Sequence, residues 1–156
     1  MHNMRRKDRE QSRDFALELA DKCSYSVMAT VNPDGSPYCT PLSMAREGEW
    51  LYFHCAKEGH KIDNLRKNSR VCVSCVDGVK PLADDFSTEY ESAVIMGAAS
   101  EVTDREEKIR ALRLICERYT PGIMAAFDEA IKNSLDNTGV WKIHIDEISG
   151  KARRKK

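Results

Sequence analysis

Residues 50–76 read WLYFHCAKEGHKIDNLRKNSRVCVSCV, and they encode a strand, a glycine-broken turn, a short amphipathic helix and a second strand. Trp50, Tyr52 and His54 alternate with Leu51, Phe53 and Cys55, the period-2 pattern of a strand with two different faces. The strand stops in Ala56-Lys57-Glu58-Gly59-His60-Lys61, and a helix is expected from there to about Lys67. The first N–H groups of a helix lack intrahelical partners, and its dipole favours negative charge at that end. A lysine beside such a terminus makes an anion site, here expected to hold the phosphate of a ligand at the end of a β-strand.

Working outward from this stretch, residues 9–22 predict an opening helix with Phe15, Ala16, Leu19 and Ala20 on one face. Tyr25, Val27, Ala29 and Val31 then alternate with Ser26, Met28 and Thr30 as a strand. Asn32-Pro33-Asp34-Gly35 is turn chemistry, and a strand over 37–46 follows, broken by Glu47-Gly48-Glu49. With the Trp50 strand, a three-stranded meander is expected.

Downstream, residues 70–79 are β-rich with valines at 71, 73, 76 and 79, and the polar stretch 81–90 reads as an exposed connection. A strand over 92–102 contains Gly97, which marks a bulge or a close backbone approach. Thr103 with Glu106 reads as a capping box, opening a helix whose stripe is Ile109, Leu112, Ile115, Cys116 and Tyr119. A shorter helix is expected over 124–134. In the last strand Trp141, Ile143 and Ile145 alternate with Lys142, His144 and Asp146. Six strands and about four helices predict a mainly β, α+β domain: an antiparallel barrel with flanking helices.

The 156 residues suffice for one domain with its own core, and 25 basic residues cancel 25 acidic ones. No global field points to nucleic acid, and the basic run 151–156 reads as a solvated end. Residues 1–13 are polar and charged, with no apolar signal core, and no apolar run reaches membrane-spanning length. A soluble cytoplasmic protein, with no membrane or nucleic-acid partner, is expected. Of six cysteines only Cys72 and Cys75 have metal-like spacing, but residues three apart on a strand point to opposite faces. Reduced thiols and no metal are expected.

The chain resembles the FMN-binding split β-barrel proteins related to pyridoxamine 5'-phosphate oxidase, and within them the nitroimidazole-resistance (Nim) branch. The resemblance is carried by Ala29-Thr30, Pro41-Leu42-Ser43, Phe53-His54-Cys55-Ala56, Glu58-Gly59-His60-Lys61, Asn64, Tyr90-Glu91-Ser92, Gly97 and Ser149-Gly150-Lys151. It spans residues 6–151, and the order and spacing of these segments are its specific part. It implies a six-stranded antiparallel split barrel and a homodimer with two FMN sites at the subunit interface. The phosphate would lie around His54 to Asn64 and the flavin ring along the backbone of Pro41 to Ser43. Cys55, where many relatives have glycine, would narrow the pocket.

The residues expected to bind the cofactor are therefore Thr30, Pro41, Leu42, Ser43, His54, Cys55, Ala56, His60, Lys61, Asn64 and Trp141. Lys61 is the strongest from the residues alone, since a lysine at a helix start opposes the dipole unless an anion neutralises it. Thr30 suits a pocket or the barrel interior, and Trp141 suits a core or interface place with some flavin contact. Catalytic residues are otherwise unassigned, with His54 the candidate for proton delivery. The expected function is an FMN-dependent oxidoreductase reducing a small compound, such as a nitro-aromatic, with a nicotinamide donor. The alternatives are a pyridoxamine 5'-phosphate oxidase-like enzyme and a non-catalytic flavin or haem binder.

Overall fold

The computed structural model describes residues 4–154. A 3-10 turn at Lys7–Arg9 leads into β1 (Glu10–Gln11) and α1 (Arg13–Lys22). The opening helix thus starts later than the periodicity predicted, because Ser12 caps it by accepting the Phe15 N–H at 3.1 Å. There follow β2 (Ser26–Val31), β3 (Pro37–Leu42), β4 (Met44–Glu47), β5 (Trp50–Ala56) and α2 (His60–Lys67). The second half comprises β6 (Arg70–Leu82), β7 (Ser87–Glu101), α3 (Arg105–Tyr119), α4 (Phe127–Ser134) and β8 (Thr138–Arg153).

All strand pairs are antiparallel, in the order β3-β2-β6-β7-β8-β5-β4, with β1 on β8. The described residues thus carry eight strands where six were expected. The strand predicted over 37–46 is two strands: its first half pairs with β2 and its second with β5. These halves lie at opposite edges of the sheet, so the expected meander gives way to a hairpin and a crossing. Ser43 alone joins them, and one residue reaches no farther than about 7 Å. The sheet must roll until its edges nearly meet, without a ladder closing them. That is the split in the barrel.

The roll creates an inside. Met28, Val73 and Ile95 stack across β2, β6 and β7, and Ala99, Ile143 and Leu51 stack across β7, β8 and β5, all nearly or wholly buried. Ala16, Leu19 and Ala20 of α1, with Ile62 and Leu65 of α2, complete this cluster. A second core lies outside the barrel, where Ala111, Leu112 and Ile115 of α3 pack on Ala45, Tyr52 and Val140. The Tyr119 hydroxyl accepts the Met44 N–H at 3.1 Å and donates to the Met44 carbonyl at 2.9 Å, fixing the chain just past the split.

Two other readings change. The capping box shifts by one residue: Asp104, not Thr103, accepts the Glu107 N–H at 2.8 Å. Asp104→Ala is expected to cost about 1 kcal/mol, read as a lower urea midpoint with unchanged slope. The stretch 81–90 is mostly the far end of the β6–β7 hairpin, with Pro81 opposite Thr88 and Leu82 opposite Ser87. The basic end is likewise partly strand. Lys151 pairs in register with Ser92, while Arg153 and Arg154 form ion pairs with Asp85 and Glu91. Lys155 and Lys156 lie outside the described residues. Cys75 is buried beside Ser26 while Cys72 lies on the other face of β6, as the strand period requires. Among the described residues no helix is long and apolar enough to cross a membrane.

Candidate functional site

Three elements converge at the open end of the barrel: the end of β5, the start of α2 and the β2–β3 hairpin. Gly59 is the N-cap of α2 at φ 132°, a backbone conformation open to glycine, and no side chain caps the helix. Its carbonyl accepts from Ile62 N at 2.8 Å and Asp63 N at 3.0 Å, so the turn is well formed. The N–H groups ahead of Ile62 therefore have no capping acceptor. Lys61 stands beside them half-buried, and among the described residues no carboxylate pairs with it.

The helix is tied to the hairpin by a polar chain. Asn64, fully buried, donates from Nδ2 to Thr30 Oγ1 at 3.1 Å and to Asn32 Oδ1 at 2.8 Å. Thr30 in turn donates to the Tyr38 carbonyl at 3.3 Å. Asn32 Oδ1 also bonds His60 Nε2 at 2.7 Å, and the His60 ring stacks on Tyr38 with centroids 4.0 Å apart. Among the described residues two buried polar side-chain atoms have no partner, Asn64 Oδ1 and Thr40 Oγ1. An unmet buried group costs about 1–3 kcal/mol, so each of these atoms calls for a polar partner.

Burial and the Lys61 charge set the electrostatics at the end of β5. Desolvation first, and then the Lys61 charge, push the His54 pKa below its ordinary value. Burial raises the Cys55 thiol, with Lys61 opposing. The shift favours the neutral imidazole of His54, which still carries one ring N–H.

The expected cofactor residues divide into two sets. Pro41 and Ser43 at the split, His54 and Ala56 at the β5 end, and His60 and Lys61 at the helix start present open or half-open surface. Pro41 sits on the edge strand, where its missing N–H leaves no ladder bond unmade. Thr30, Leu42, Cys55, Asn64 and Trp141 turn inward. Trp141, 4 % exposed and opposite Phe53, belongs to the barrel core, one of the places its sequence pattern suited. Asn64 joins helix to hairpin through its amide nitrogen, and its Oδ1 is unpartnered among the described residues. Asn32 and Tyr38 were not foreseen. Asn32 read only as turn chemistry, although Tyr38 shares the inward period with Thr40 and Leu42.

The outer face of the β2–β3–β6 region is open as well. A recess of about 180 Å³ opens beside Ala29, Val31, Pro37, Cys72 and Met96. Nearby Tyr25, Val76 and Val79 are 59 %, 48 % and 60 % exposed, an uncovered apolar surface of the kind that marks an interaction site.

Comparison with known proteins agrees with this architecture. A family model described as pyridoxamine 5'-phosphate oxidase matches residues 12–152. A Bacteroides thetaiotaomicron protein named for 5-nitroimidazole antibiotic resistance is 25% identical at TM-score 0.77, over 97% of this chain and 96% of that one. The flavocytochrome Anf3 of Azotobacter vinelandii (22% identity, TM-score 0.78) matches over 99% of this chain and 73% of that one. An FAD and haem binding protein of Mycobacterium smegmatis (23%, TM-score 0.80) matches over 94% and 74%. At 22% and 23% identity, the last two speak for the fold alone. No curated protein sequence matches the chain.

Proposed function

The chain belongs to the pyridoxamine 5'-phosphate oxidase family, and from that membership we propose that it is a homodimeric FMN-binding oxidoreductase acting on a small acceptor. The observation that carries the reading is the uncapped start of α2, where among the described residues no carboxylate pairs with the adjacent Lys61. These residues fit a phosphate-bearing ligand. Lys61 and the first N–H groups of α2 would hold the phosphate. The N–H of Ser43 would meet the flavin ring, since Pro41 has none to give and the Leu42 N–H faces β2 in the ladder.

Bound FMN would supply the electron-transfer chemistry that no side chain offers. The protein's share is to hold and orient it and to exclude water. A second copy covering the apolar outer face would close the site, and a nitro-aromatic acceptor with a nicotinamide donor fits the nitroimidazole-resistance relative. The pyridoxamine 5'-phosphate oxidase alternative is less favoured, because Arg153 and Arg154 near the C-terminal end are engaged by Asp85 and Glu91. The named FAD and haem binders favour one other reading, in which the flavin is FAD or haem accompanies it.

Absorption spectra of purified protein, the mass of the released chromophore and light scattering test the proposal together. FMN in a dimer is expected. A colourless monomer that stays colourless in excess FMN defeats the proposal. FAD or a Soret band moves it to the second reading. His54→Ala is expected to lower turnover with a nicotinamide donor and a nitro-aromatic while leaving flavin content intact, and unchanged turnover would remove His54 from the reaction.

A further inference from the structure

Three side chains that the flavin reading leaves unused meet beneath the turn from α1 to β2. Cys23 is the C-cap of α1, Ser26 opens β2, and Cys75 stands opposite Ser26 in the β2–β6 ladder. All three are buried, at 1 %, 3 % and 1 % exposure. Ser26 Oγ lies 3.6 Å from Cys23 Sγ and 3.2 Å from Cys75 Sγ, so a single hydroxyl touches both sulfurs. Arg118 of α3 donates to the Ala20 carbonyl at 2.9 Å and the Cys23 carbonyl at 2.7 Å, which holds the cap in place. A thiol that merely fills space in an apolar core is pushed up by burial. Cys23 goes the other way, to about 6: the hydrogen bond from Cys75 is the largest cause, and Ser26 and Arg118 reinforce it against desolvation. Cys75 is raised, because it is the partner that keeps its proton. The pair thus holds a thiolate on Cys23 beside a protonated Cys75. Lys22 and Ser24, on either side of Cys23, are exposed, so the thiolate lies one residue from water.

We propose that Cys23 and Cys75 form a peroxide-reactive dithiol that closes reversibly to a disulfide. The Cys23 thiolate attacks one oxygen of hydrogen peroxide. An S–O bond forms as the O–O bond breaks, which leaves a sulfenic acid on Cys23 and releases hydroxide, protonated to water. The Cys75 sulfur then attacks the Cys23 sulfur: the S–S bond forms, the S–O bond breaks, and the hydroxide leaves with the Cys75 proton as a second water. Two thiols give up two electrons, and one peroxide is reduced to two waters. Cys75 intercepts the sulfenic acid before a second peroxide can carry it to the irreversible sulfinic stage. A small dithiol reverses the bond by exchange. The closed form joins the end of α1 to β6 across β2. The reaction needs no bound flavin, so it stands or falls separately from the flavin reading.

The test treats the reduced, folded full chain with a small excess of hydrogen peroxide at neutral pH. The remaining thiols are then alkylated in denaturant, and the digest is mapped by mass spectrometry without reduction. A Cys23–Cys75 linked peptide is expected in most chains, lighter than the two reduced peptides by two hydrogens, and dithiothreitol should restore both thiols. The same treatment of the chain unfolded in guanidinium should scatter cross-links among the six cysteines, because the pairing comes from the fold. Cys75→Ser keeps a hydroxyl donor beside Cys23 but removes the second sulfur. That variant should hold the sulfenic acid on Cys23, where dimedone traps it; no adduct at Cys23 would show that the attack starts elsewhere and overturn the proposal. Recovery of Cys23 and Cys75 from the native chain as free thiols, or as singly oxidised acids without a cross-link, overturns it as well.

Discussion

Gly97→Ala is expected to abolish or severely weaken the fold. A Cβ at this position would sit 2.1 Å from the His144 carbonyl oxygen and 2.9 Å from Ile143 Cγ2. The first of these is backbone in the longest ladder of the sheet and cannot swing aside as a side-chain tip would. The close approach arises at a β-bulge, where the β7–β8 register shifts between Met96 and Gly97 and Asp146 becomes the extra residue on β8. Overpacking a rigid site costs about 1–3 kcal/mol, and a clash with backbone lies at or above that upper end. Against a total stability of about 5–15 kcal/mol, the loss should appear as insoluble protein or a melting midpoint lowered by about 10 °C or more. Gly122→Ala, with no atom within 4 Å of the new Cβ, is the control and should change little. If Gly97→Ala melted like the native chain, the β7–β8 register described here would be wrong.

The same bulge shows why part of the fold could not be read from the chain. Before Asp146 the inward residues of β8 are the odd ones, Trp141, Ile143 and Ile145; after it they are Ile148, Gly150 and Ala152. A period-2 reading ends where the parity flips, so the predicted strand stopped seven residues short of Arg153. Ser43 hid a second feature, since Tyr38 to Arg46 keeps a plausible strand pattern while its partner changes from β2 to β5. Pairing across a sheet edge leaves no local signature. The glycine-opened start of α2 was more legible, because Gly59, His60 and Lys61 express backbone conformation and charge, which belong to the local sequence. Asn32, Tyr38 and Asn64 act through contacts across some 30 residues, and single-residue chemistry does not show which way a buried amide will turn.

Lys61→Gln is expected to weaken FMN binding by about 10- to 100-fold, the worth of one hydrogen bond to a charged group, while changing riboflavin binding less than twofold. The contrast isolates the phosphate, because riboflavin offers the same ring and ribityl chain without the anion. Two further signatures separate a lost anion ligand from general damage. A lysine beside a helix N-terminus opposes the dipole, so the flavin-free variant should be as stable as the native protein or more stable by a few tenths of a kcal/mol. The Lys61 charge also helps hold the His54 pKa down, so its removal should raise the His54 titration midpoint in NMR spectra, and by less than the full depression because desolvation, the larger cause, remains. A variant with intact melting and a shifted His54 that still bound FMN as tightly as the native chain would place the phosphate elsewhere. The uncapped N-terminus of α2 would then be no more than a solvent-exposed turn.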